Sequence, residues 1–163
     1  TKMELQGSFT FLAIDGADVR LKSGGSSLTK VEIKAPVRSG KLHIVDSIAT
    51  INLVLALDKL KTGNFFTEAA ARTFIGGYNA HDLVFQGSGT HNGNDYDVSG
   101  NAQAGELDVE ISLTITAVAN SPEPEVELVG SAAFGRVHIP LPGIGTVENL
   151  IIDIDARLTV SEV

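Results

Sequence analysis

The segment ELDVEISLTITAVA, residues 106–119, constrains the fold more than any other part of the chain. Leu107, Val109, Ile111, Leu113, Ile115 and Ala117 fall on one parity; Asp108, Glu110, Ser112, Thr114 and Thr116 fall on the other. Successive side chains of a β-strand project to opposite faces, so alternation this long marks a strand with one apolar and one wet face. The pattern recurs in NLIIDIDARLTV, where Leu150, Ile152, Ile154, Ala156, Leu158 and Val160 share a parity against Asp153, Asp155, Arg157 and Thr159. EVELVGSAAFGR repeats it more weakly through Val126, Leu128, Gly130, Ala132 and Phe134, and IATINLVLALDKL groups Ile51, Leu53, Leu55 and Leu57. The chain is all-β in its framework.

One segment reads as helix. In TGNFFTEAAARTFIGGY, Asn64 or Thr67 caps the start, three alanines favour the helical turn, and Gly76-Gly77 stops it. Proline stays in expected loops: Pro36, SPEP and PLPG. With 163 residues and no internal repeat, linker or low-complexity tract, residues 1–163 form a single domain. Strands of twelve residues run about 40 Å at ~3.3 Å per residue and coil strongly. Closing them into an antiparallel barrel removes the exposed edges. The inward residues are of modest size and aromatics make up only 6 %, so volume alone predicts a lined, unfilled interior unless the helix fills it.

GTHNGNDYDVSGN, residues 89–101, allows two readings. Asn94, Asp95 and Asp97 offer oxygen ligands like one turn of a calcium-binding β-helix repeat, but such a repeat works by stacking many copies, and here there is one. Asn92-Gly93 between two alternating arms is instead the signal of a type I′ hairpin, whose central residues both need positive φ. The segment is read as a bend that binds no metal.

Net charge of −8 with no Lys/Arg cluster argues against nucleic acid and against electrostatic docking on anionic lipid. No apolar run is long enough to span a membrane as a helix. There is no Cys, which excludes thiolate metal sites and Cys nucleophiles. His43, His81, His91 and His138 have no metal-ligand spacing and read as surface or hydrogen-bonded residues. GSGT lacks the context of a nucleophile elbow, and GIGTVEN lacks the Lys and the following helix of a phosphate loop. Asp108/Glu110 and Asp153/Asp155 alternate with apolar residues and read as a solvated face. No catalytic constellation emerges. The opening TKMELQGSF lacks the pattern of a secretory signal, and the chain is expected to be a mature protein or a module of a longer one.

Three stretches in order resemble the YceI-like, polyisoprenoid-binding family. LDKLKTGNFFTEAAAR is similar to that family's strand-to-helix junction, DLVFQGSGTHNGNDYDVSGN to its next hairpin, and GSAAFGRVHIPLPGIGTVENLIIDIDARLTV to its ending. The resemblance covers roughly Leu53 to Val160. Two features depart from it: Thr67-Glu68 stands where the family has Arg-Asp, and QAGELDVE replaces Gly-Val-Thr-Lys-Pro. It implies a lipocalin-like barrel, periplasmic or extracellular in a bacterium. It also implies non-enzymatic binding of a long isoprenoid amphiphile, a polyprenyl phosphate or pyrophosphate or a ubiquinone-type quinone, with no cofactor beyond that ligand. A homodimer or a parent multidomain protein stays open as partner.

On this reading Leu53, Leu55, Leu57, Leu83, Phe85, Leu107, Val109, Ile111, Leu113, Ile152 and Ile154 face the interior and line the ligand, with Phe134 on the same parity as Leu128. Phe65, Phe66 and Phe74 on the helix either cover a ligand tail or plug the barrel as ordinary core. Arg136 either turns inward to an anionic head group or stands in solvent. The alternative is a β-sandwich module for carbohydrate binding or adhesion, weakened by the absence of Trp and the presence of only Tyr78 and Tyr96 as tyrosines.

Overall fold

The computed structural model describes residues 6–23, 32–62, 81–105, 107–118, 123–139 and 145–163. Strands β1 (Gly7–Phe11), β2 (Asp18–Ser23), β3 (Glu32–Val45), β4 (Ile48–Ala56) and β5 (Lys61–Thr62) precede β6 (Asp82–Asn92), β7 (Asp95–Ala104), β8 (Leu107–Ala117), β9 (Glu125–Ile139) and β10 (Gly145–Glu162). A single 3₁₀ turn, Leu57–Lys59, separates β4 from β5. The helix expected in TGNFFTEAAARTFIGGY lies outside the described residues, and Phe65, Phe66 and Phe74 with it.

Every pairing is antiparallel, and the ladder closes through β9 with β10. The ten strands fill eight positions because two of those positions are shared. β1 and β2 lie end to end between β10 and β3, and β5 continues the place of β4 beside β3. The result is a closed, lipocalin-like antiparallel barrel. A two-sheet sandwich, the architecture of the alternative reading, is not formed.

Alternation dictates the core as expected. Val109, Ile111, Leu113 and Ile115 are buried on β8, and Ile152, Ile154, Ala156, Leu158 and Val160 on β10, while Asp108, Glu110, Ser112, Asp153 and Arg157 are exposed. No buried side chain among the described residues is polar or charged. Outside, ion pairs span neighbouring strands: Arg20 Nε donates to Asp155 at 2.5 Å and Arg157 Nε to Glu125 at 2.6 Å. Each such exposed pair contributes about 0–1 kcal/mol.

Two expectations about loops and turns are corrected: Pro36, expected in a loop, lies inside β3 opposite Asp18, and one hairpin turn is displaced. The loop between β6 and β7 is Gly93–Asn94, with Asn92 opposite Asp95, and Gly93 alone carries a positive φ, of 65°. That is the pattern of a type II′ turn, one residue later than a turn centred on Asn92-Gly93. Both central residues are left-handed instead between β3 and β4, at Asp46 (φ 53°) and Ser47 (φ 64°), where Val45 pairs Ile48. A Cβ in this region costs roughly 1–2 kcal/mol. Ser47→Gly is therefore expected to raise stability by about 1 kcal/mol, read as a higher urea midpoint at unchanged m-value.

Candidate functional site

The two ends of the barrel differ. At one end β3 turns into β4 and β6 into β7 through two-residue loops, and the interior is packed with Phe9, Phe11, Leu42, Ile44, Ile51, Val98, Ile115, Val126, Leu158 and Val160. At the other, here called the mouth, β2, β4, β7 and β9 end and β3, β6, β8 and β10 begin.

Inside the mouth half lies a partly open cavity of about 40 Å³. Leu53 and Leu55 of β4 and Leu83 and Phe85 of β6 form one wall; Val109, Ile111 and Leu113 of β8 form another. Ile154 of β10 completes the set that the sequence anticipated. Val19 and Leu21 of β2, with Leu128 and Ala132 of β9, also line it and were not anticipated as site residues. Every lining residue among the described ones is apolar.

Two further candidates fall elsewhere. Ile152 and Leu57 are buried, at 1 % and 0 % exposure, but do not border the cavity; Leu57 belongs to the 3₁₀ turn rather than to the strand whose parity it continues. Leu107 lies at the start of β8, and Phe134 and Arg136 lie on the mouthward part of β9.

The expectation of an unfilled interior is corrected. Phe9 and Phe11 enter from β1, Phe85 from β6, and branched aliphatics fill the rest, so the barrel is packed over most of its length. A cavity of about 40 Å³ admits a water by volume, but it is smaller than the roughly 150 Å³ apolar cavity that takes up benzene.

The wall beside the cavity is incomplete. The β8–β9 ladder runs from Ala117 opposite Val126 to Ile111 opposite Ala132 and stops there. β8 nevertheless continues to Leu107, paired to β7 alone among the described residues, and β9 continues to Ile139, paired to β10. On another part of the wall, Arg38 occupies a bulge in β3 between Val37 and Ser39. It donates from Nε to Asp82 Oδ1 at 2.5 Å and from its terminal nitrogen to Asp58. This clasp ties β3, the 3₁₀ turn and the start of β6 together, and the hydrogen bond to Asp82 chiefly holds the guanidinium charged.

Polar chemistry is sparse elsewhere. Ser8 Oγ and His43 Nδ1 are hydrogen-bonded at 2.6 Å, and His91 packs edge-on to Tyr96 with ring centroids 5.3 Å apart. Asp97, one candidate calcium ligand, accepts from Asn92 Nδ2 at 2.7 Å and from Thr114 Oγ1 at 3.3 Å. Among the described residues no group of three or more His, Asp or Glu side chains could hold a metal. Calcium is expected to leave the melting temperature unchanged relative to EDTA; a rise of several degrees would contradict the reading of this hairpin. No helix among the described residues is long and apolar enough to cross a membrane. The chain matches no protein-family model and no curated protein.

Proposed function

We propose that the barrel binds, without catalysis, the hydrocarbon chain of a long isoprenoid amphiphile, either a polyprenyl phosphate or pyrophosphate or a ubiquinone-type quinone. The observation that carries this reading is the cavity at the mouth, whose lining among the described residues has no polar side chain. Such a lining recognises shape and length rather than functional groups. Burial contributes about 0.8 kcal/mol per CH₂, so a long tail needs few polar anchors.

The cavity is far smaller than such a tail. Loading therefore requires lining side chains to change rotamer and the mouth to widen, and mouthward of Ile111 opposite Ala132 the β8–β9 ladder has no rungs to give up among the described residues. The isoprenoid identity rests on the resemblance of LDKLKTGNFFTEAAAR and the two later stretches to the YceI-like family, and a periplasmic or extracellular setting rests on it too. Arg136, mouthward of Ala132 on β9, is the proposed contact for an anionic head group.

Solvent extraction of protein purified from a bacterial envelope, followed by lipid mass spectrometry, tests the reading. A prenyl lipid or quinone near one per chain is expected. A folded protein that yields no such lipid, and takes none up after incubation, would overturn it. Arg136→Ala is expected to weaken binding of a prenyl pyrophosphate more than of the corresponding alcohol; equal losses, or none, would place the head group elsewhere.

A further inference from the structure

Cross-strand pairing arranges the inward residues in rows across the barrel. One row runs Ile51, Gly87, Gly100, Ile111, Ala132, Ile152, so two neighbouring positions on β6 and β7 carry no side chain at all. The adjacent row towards the mouth contains Leu53, Phe85, Ala102 and Val109. Phe85 reaches from that row over Gly87: its Cζ lies 2.8 Å from where a Cβ on Gly87 would stand, and Val98 Cγ1 lies 3.0 Å from the same point. Phe85 is only 3 % exposed and also lines the cavity.

The same device occurs on β3, where Phe11 Cδ2 lies 2.8 Å from the corresponding point at Gly40, opposite Leu53. Phe11 borders no part of the mouth cavity. Phe85 differs because its ring has packed core on one side, at Val98, and the cavity on the other.

We infer that Phe85 is the depth stop of the cavity, its ring occupying the space left at Gly87 and setting how far an apolar chain penetrates from the mouth. This rests on the reading under Proposed function and adds to it the residue that selects chain length. Removing the ring extends the cavity along β6 and β7 towards Val98. A larger ring shortens it. A side chain at Gly100 cannot take this role, because its Cβ would lie 1.9 Å from the Gln86 carbonyl oxygen.

The test is a chain-length series of prenol, geraniol, farnesol and geranylgeraniol, titrated into folded wild type, Phe85→Ala and Phe85→Leu and followed by native mass spectrometry. Wild-type affinity should rise with length and then level off, changing less than about twofold for the next prenyl unit, whereas Phe85→Ala should gain at least about tenfold over that same unit. Phe85→Leu, which keeps an apolar side chain and secures the test if the Ala variant does not fold, should shift the plateau in the same direction by less. Phe85→Trp should move it to shorter chains. If wild type and variants bind the series with the same plateau, the depth stop is overturned and the carrier reading stands. If folded wild type binds no member, the carrier reading is overturned and the stop falls with it.

Discussion

Leu113→Asp unfolds the barrel at room temperature, whereas Ser112→Asp leaves its urea midpoint within about 0.5 kcal/mol of wild type. Leu113 is 6 % exposed and packs into the cavity wall; Ser112, its neighbour on β8, faces water between Ser99 and Ser131. Losing a buried Leu side chain costs about 2–5 kcal/mol. Placing an unpaired carboxylate there adds several more, or forces it to bind a proton. The sum approaches the whole stability of a typical domain, roughly 5–15 kcal/mol. Ser112 is a better outward control than Thr114, because Thr114 donates to Asp97 and a carboxylate there would face that negative charge. Circular dichroism with urea titration decides the matter. Equal tolerance of Asp at the two positions would mean that the register of β8 is wrong, since a one-residue slip exchanges the two faces.

The second large effect is steric. Gly100→Ala is expected to cost about 3 kcal/mol, at the upper end for overpacking. A Cβ at Gly100 would stand 1.9 Å from the Gln86 carbonyl oxygen and 2.5 Å from Gly87 Cα, so β6 and β7 would have to part. Gly93→Ala gives the contrast. Nothing lies within 4 Å of its would-be Cβ, and only the positive φ of 65° is penalised, by roughly 1–2 kcal/mol. A Gly100→Ala variant no less stable than Gly93→Ala would show that the two strands are not so closely apposed.

These glycines also explain what the sequence disclosed and what it hid. The strand β8 and the part of β10 from Ile152 onward were legible because their alternation keeps one phase, and the lining they supply at Val109, Ile111, Leu113 and Ile154 followed from parity alone. β3 was not legible, because its buried set runs Ile33, Ala35, Val37 and then Leu42, Ile44. The bulge at Arg38 moves the inward parity from odd to even numbers, and a search for period two sees two fragments too short to stand out. Val19 and Leu21 in DVRLKS alternate cleanly, but over so few residues that the signal is weak. Their place in the cavity depends on β10, more than a hundred residues away in the sequence.

The filling of the interior was the least legible property. The modest size of the inward residues suggests empty space, because residue size does not tell where a ring lies, and here rings lie over glycines. Phe11 over Gly40 and Phe85 over Gly87 each turn one large side chain into cover for two positions. The turn at Gly93–Asn94 was found in kind but displaced by one residue, since Asn92-Gly93 and Gly93-Asn94 are both good two-residue loops and the cross-strand pairing of the longer arms decides between them.

The central claim is that an apolar chain enters the barrel at its mouth. Methyl ¹H–¹³C spectra of the delipidated, folded protein, titrated with geranylgeraniol, test it most directly. The account predicts saturable shifts at the methyls of Leu55, Leu83, Ile111 and Leu113, which line the cavity, and none at Val129 and Ile48, which are 48 % and 49 % exposed on the outside. Shifts confined to Val129 and Ile48, or no shifts anywhere at saturating alcohol, would contradict it.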